Sequence, residues 1–88
     1  MTPIRFQAVI LRKQLDLPCY IIVKPDLLGA VTGAFDAEVS LNGSTPFPRR
    51  IHPWGKGSDA YFFNVTKDQC RKAGVSAGDR CHVDITPL

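Results

Sequence analysis

Arg49, Arg50, His52, Trp54 and Lys56 lie in one short stretch and are the residues of this chain best suited to chemistry with a ligand. An indole offers a flat face on which a base or other ring can lie, and the cationic groups beside it can meet negative charge. Pro53 restricts the backbone just before the indole, while Gly55 and Gly57 let backbone N–H groups come close to a bound molecule. The spacing therefore predicts a site for an anionic small molecule or nucleic acid built from these five side chains. The alternative is a tryptophan folded back as a lid over one end of a small barrel, because large aromatics in small domains are mostly buried.

Other chemistry is poorly supported. Gly55-Lys56-Gly57-Ser58 invites a phosphate-loop reading, but that pattern needs glycine where Arg50 stands and serine or threonine where Gly57 stands. The segment also lies between two expected strands, so it lacks a helix N-terminus to hold a phosphate. His52 and His82 have no histidine, cysteine or carboxylate at a spacing that fixes a metal or a general base. Ser58-Asp59 has neither a nucleophile elbow nor a visible base partner. No catalytic residue, metal or cofactor is expected, and the chain reads as a non-enzyme.

Composition agrees with a small soluble domain. The chain has 88 residues, 44% hydrophobic and 22% charged, which suits one globular domain over residues 1–88 and excludes a multidomain enzyme. Eleven Lys and Arg against eight Asp and Glu give a net charge of +3, too slight to imply nucleic acid by itself. A second basic group, Lys67, Arg71 and Lys72, belongs to an expected helix. Cys19, Cys70 and Cys81 are widely and irregularly spaced, without a C-x-x-C pair, and are read as buried reduced thiols. No window is apolar enough to span a membrane, and Met1 to Gln7 has no signal-peptide pattern, so the expected location is the cytoplasm.

The elements that must position these residues are mostly strands. Ile4 to Leu11 alternates until Val9, and Cys19 to Val23 is a β-branched apolar run read as a well-buried strand. Pro25 to Gly29 suits one helical turn. Phe35, Ala37, Val39 and Leu41 alternate cleanly with polar residues, and Asn42-Gly43 predicts a type I′ turn into a strand from Thr45 to His52. Pro46 and Pro48 place that strand at an edge or a bulge, and Arg49 shares the inward parity of Phe47 and Ile51. A turn-rich loop over Pro53 to Asp59 then leads into a strand at Tyr61 to Val65. Thr66-x-x-Gln69 is a capping box and Gly74 a C′ residue, so Lys67 to Ala73 forms a short helix. Gly78-Asp79 turns into a last strand from Arg80 to Thr86.

This ordered set resembles a bacterial and archaeal family, the domain of unknown function numbered nineteen-oh-five. The shared elements are Phe47, Ile51, Pro53 and Gly55, then Tyr61, Phe63, Val65, Lys67, Arg71 and Gly74, and finally Gly78-Asp79 before alternating apolar residues. Phe6-Gln7-Ala8, Val23-Lys24-Pro25 and Asn42-Gly43 extend the likeness over nearly the whole chain. The resemblance implies a mainly β fold, a small double-split β-barrel or pseudobarrel of about six strands with one short helix near residues 67–73, in the fold class of AbrB and MazE. Some relatives have a further C-terminal tail linked by name to bacteriocin protection, and these 88 residues include none. Cys81 replaces a usual aliphatic residue, and Arg49-Arg50 stands where small polar residues are common. No activity comes with the resemblance.

Two functions are expected from different classes. One is a binding module for an anionic ligand or nucleic acid at Arg49, Arg50, His52, Trp54 and Lys56. The other is a structural or protein-interaction barrel whose edge strand at Thr45 to Arg50 pairs with another protein or a second copy, an edge that two prolines blunt.

Overall fold

Side-chain alternation becomes a barrel wall in the computed structural model, which describes residues 3–28, 33–55 and 57–88. The elements are β1 (Ile4–Val9), β2 (Cys19–Val23), α1 (Pro25–Leu28), β3 (Phe35–Leu41), β4 (Phe47–Gly55), β5 (Ser58–Val65), α2 (Lys67–Ala73) and β6 (Arg80–Pro87). The strands lie in the order β1-β6-β3-β4-β5-β2, every neighbour antiparallel. Leu11 and Tyr20 then exchange backbone hydrogen bonds of 3.0 and 2.8 Å, which bring the two ends of the sheet together. The result is a mainly β, nearly closed barrel with two short helices. Among the described residues no helix is long and apolar enough to cross a membrane.

The core is the inward parity of the strands. Ile21, Val23, Ala37, Val39, Leu41, Ile51, Phe63, Val65, Val83 and Ile85 are fully buried, and Ile10 joins them just beyond β1. The Cys19 to Val23 run is the well-buried strand expected, and its burial alternates: Cys19, Ile21 and Val23 face inward, and Tyr20 and Ile22 are half-buried on the outer face. Burial on both faces needs a second layer, and here the wall is one sheet thick.

β4 is the strand that changes partner. Phe47 to Ile51 pairs with β3, whereas His52 to Gly55 pairs with β5 across a register shift between Pro53 and Gly55. The expected turn-rich loop at Pro53 to Asp59 is therefore mostly strand. The prolines fit because of backbone parity. Ser44 N–H donates to Leu41 C=O and Leu88 N–H to Asp36 C=O, so odd residues of β3 face β4 and bond Phe47, Arg49 and Ile51. Pro48 thus turns its nitrogen toward β5 where the ladder has split, and loses no hydrogen bond. Phe47 to Ile51 is therefore bonded to β3 on one side and to no strand on the other, a local edge of the kind its prolines imply, crossed by the Arg49 side chain.

The hairpin forms as its sequence requires. Asn42 and Gly43 have φ of 50° and 74°, the two positive values of a type I′ turn. Asn42 also joins distant elements, its Oδ1 accepting from His82 N–H at 2.8 Å and its Nδ2 donating to the Ala73 carbonyl at 3.3 Å. A Cβ at Gly43 would meet no atom within 4 Å, so Gly43→Val is strained by its backbone alone. That substitution should cost about 1 kcal/mol or more, read as a lower urea midpoint. Gly57, at φ 80°, is constrained in the same way, so Gly57→Ala should also destabilise.

α2 is the expected helix, with the Thr66 hydroxyl accepting from Gln69 N–H at 3.1 Å and the Gln69 side chain accepting from Thr66 N–H at 2.9 Å. Gly74 ends it in the left-handed conformation. Its buried residue is Cys70, and all three cysteines are buried free thiols. Burial, helped by the neighbouring Cys19 thiol, pushes Cys70 up from the ordinary 9.0 to about 11, and burial also raises Cys81. The folded state therefore holds the thiol proton more tightly than the unfolded chain does. This contribution to stability is complete below pH 9 and is lost as pH rises through about 11. The urea midpoint should accordingly fall over that interval, and fall less in Cys70→Ala.

Candidate functional site

The outward parity of β2, β5 and β4 does not carry the usual polar cover. Tyr20 on β2, Phe62 on β5 and Trp54 on β4 are each half-buried; Tyr20 and Phe62 alternate with core residues of their strands, while Trp54 stands between the exposed Pro53 and Gly55. Their rings touch: Trp54 lies 5.2 Å from Phe62, edge to face, and 5.8 Å from Tyr20, tilted. His52 continues the row, its ring 5.7 Å from Phe62. The Lys13 ammonium sits 5.4 Å from the centre of the Trp54 ring. Beside them opens a groove of about 390 Å³, walled by Leu17 and Pro18 and ending at Asn64.

Trp54 is thus neither free nor a lid over the barrel end. It belongs to an aromatic surface on the outside of the wall, held in place because the rings on β4 and β5 lie side by side near the His52–Phe62 pairing. Stacked and tilted ring contacts of this kind contribute about 0.5–1.5 kcal/mol beyond area burial. Leu17 is 41% exposed, so part of the groove wall is apolar surface open to solvent.

The cationic residues expected to share this site separate. Arg50 and His52 are exposed on the face that carries Trp54, and Arg50 forms an ion pair with Asp36 at 3.0 Å. Both partners of that pair are more than half exposed, so it restrains Arg50 only weakly. Arg49 faces the other way. Its Nε donates to the Asn64 carbonyl at 2.7 Å and its Nη2 to Gln69 Oε1 at 2.9 Å, while the guanidinium lies 5.5 Å from the Phe47 ring. The inward parity of Arg49 is real, and its charge closes the split between β4 and β5 and ties down the start of α2. Lys56 lies outside the described residues.

Arg49→Met keeps the apolar stem and removes these donors, so it should cost about 0.5–1.5 kcal/mol of folding stability. Thermal melting measures this. Any ligand affinity at Trp54 should remain unchanged, whereas Arg50→Ala should leave the melting point nearly unaltered.

Lys13, Tyr20 and Phe62 were not among the candidate residues. Phe62 had left a signal, a large aromatic on the polar parity of its strand. Tyr20 left none within an apolar run, and Lys13 meets Trp54 only because the Leu11–Tyr20 bridge folds the intervening loop against the wall. The two histidines and Ser58 have ordinary surroundings. His82 Nε2 is 3.3 Å from Asp84, and the Ser58 hydroxyl accepts from Ala60 N–H at 3.2 Å. Among the described residues no group of three or more histidine, cysteine or acidic side chains could hold a metal ion.

Residues 6–85 match the family described as Domain of unknown function (DUF1905). The chain belongs to that family. The match spans all six strands in part or whole and both helices, including every ring of the aromatic surface. No curated protein matches the chain. Within this DUF1905 domain the adjacent arginines have distinct places: Arg49 serves the fold and Arg50 remains at the surface.

Proposed function

We propose that this DUF1905 domain is a non-enzymatic binding module that takes a nucleotide unit, free or within a single strand, on the Trp54 face. The observation that supports it most is the contiguous surface of Tyr20, Phe62 and Trp54 beside an open groove, with Lys13 over the indole. Bases stack on aromatic side chains whatever their sequence, and each such contact is worth about 1–3 kcal/mol. Lys13 would meet a phosphate at one rim, with Arg50 and His52 at the other. A free thiol in each of three buried cysteines suits a reducing compartment such as the cytoplasm.

The emission of Trp54 tests this directly, because it is the single tryptophan. Three probes at low salt separate the sources of affinity: an oligothymidylate, thymidine monophosphate and inorganic phosphate. The oligonucleotide should change the emission saturably and lose affinity as salt rises. The mononucleotide should do so more weakly, and phosphate alone should leave the emission unchanged. Flat emission with all three would refute the reading.

A further inference from the structure

We propose that the slot between β1 and β2 receives an extended, acidic segment of a partner protein, which adds to β1 as a strand. This site lies apart from the Trp54 groove and does not depend on the reading given to it.

Backbone parity is the first support. Ile10 bonds across to Asp79 and Gly78 beside β6, so the even residues of β1 face β6. Arg5, Gln7 and Val9 therefore direct their N–H and C=O groups away from that ladder. The next residue in this series, Leu11, bonds Tyr20 in both directions, and continuing that register would place Val9 opposite Ile22. Instead β1 pairs only with β6 and β2 only with β5. Among the described residues no strand covers either edge beyond the single Leu11–Tyr20 rung.

An open edge of this length is normally blunted by proline, a bulge or a covering loop. β1 contains neither a proline nor a bulge, and its register with β6 is unbroken from Ile4 to Val9. Between the edges is a groove of about 590 Å³ with Phe6, Ala8, Ile22 and Leu27 along it and Val9 41% exposed at its rim. Backbone pairing supplies affinity in such a slot, and alternate side chains of the incoming strand meet the apolar wall.

Charge selects the occupant. Lys24 and Arg80 line the slot against one acid, Asp26, while Arg5 on β1 is ion-paired with Asp84 at 3.3 Å and is not counted in this balance. An acidic segment is complementary to this rim and a basic one is not. A second copy of the chain fits less well, because its own β1 is held in a barrel wall, whereas β2 and α1 flank the edge that must be reached.

Amide chemical shifts and hydrogen exchange of the full chain test the proposal, using two blocked hexapeptides that alternate valine with glutamate or valine with lysine. The glutamate peptide should shift the amides of Arg5, Gln7, Val9 and Ile22 saturably and slow their exchange, and the lysine peptide should bind more weakly. Gln7→Pro removes an outward donor while sparing the ladder to β6, and should weaken the glutamate peptide roughly three- to tenfold, the worth of one hydrogen bond. Lys24→Glu, an exposed change that does not touch the core, should weaken the glutamate peptide and favour the lysine peptide. Unmoved edge amides, shifts confined to Tyr20, Trp54 and Phe62, or equal binding of both peptides would overturn the proposal. So would a concentration-dependent dimer that Gln7→Pro abolishes, since it would assign the edge to a second copy.

Discussion

Phe63→Ala should lower folding stability by about 3–5 kcal/mol, the largest loss expected from any single substitution considered for this domain. Phe63 is the largest fully buried side chain, and it stands on β5 opposite Ile21 on the inside of the wall. Its removal leaves a cavity that the surrounding strands, fixed by pairing on both sides, can close only in part. A small domain holds roughly 5–15 kcal/mol in total, so the variant should be close to unfolding at ambient temperature. Phe62→Ala, one residue earlier, should behave differently. Its ring is half-buried on the outer face, and its loss should cost less than half as much while removing part of the surface beneath Trp54. Urea unfolding of the two variants checks the assignment of inner and outer faces, and similar midpoints would contradict it.

Trp54→Ala should weaken binding of a fluorescein-labelled oligothymidylate roughly ten- to a hundredfold in anisotropy titrations, the consequence of losing one stacking platform. Folding stability should fall by the worth of the contacts with Phe62 and Tyr20, about 0.5–1.5 kcal/mol each, without loss of the fold, because Trp54 contributes to no part of the buried core. Trp54→Phe should recover part of the affinity by restoring a flat apolar face. Lys13→Ala should reduce affinity less and should flatten the salt dependence, since a phosphate contact is exchanged with counterions and a stacking contact is not. A loss of affinity in Trp54→Ala that accompanied unfolding would instead make the indole a structural residue.

Local patterns made much of this fold legible. The alternation of Phe35 to Leu41, the Asn42-Gly43 turn and the Thr66 to Gln69 capping box each depend on neighbours in sequence, and each appears where the residues imply. The face of β2 was not legible, because five apolar residues in succession give period 2 no contrast. Nor was the division of labour between Arg49 and Arg50. Their parity shows that they point to opposite faces, but the split ladder that gives Arg49 its acceptors arises from pairing between strands far apart in the chain. The same non-local pairing brings Lys13 and Tyr20 to Trp54, so an aromatic surface drawn from three strands left only Trp54 and the misplaced Phe62 as traces. The first half of β4 is a local edge as its prolines imply, whereas the open edge between β1 and β2 left no trace, because it follows from barrel order and not from residue type.

The most direct measurement is an amide and aromatic-ring chemical-shift map of the full chain titrated with oligothymidylate at low salt. The account predicts saturable shifts centred on the rings of Tyr20, Trp54 and Phe62 and on the backbone of Lys13 and His52, with Arg49 and the β1 edge unmoved. Shifts centred elsewhere on the barrel, or a spectrum unchanged at saturating oligonucleotide, would contradict it.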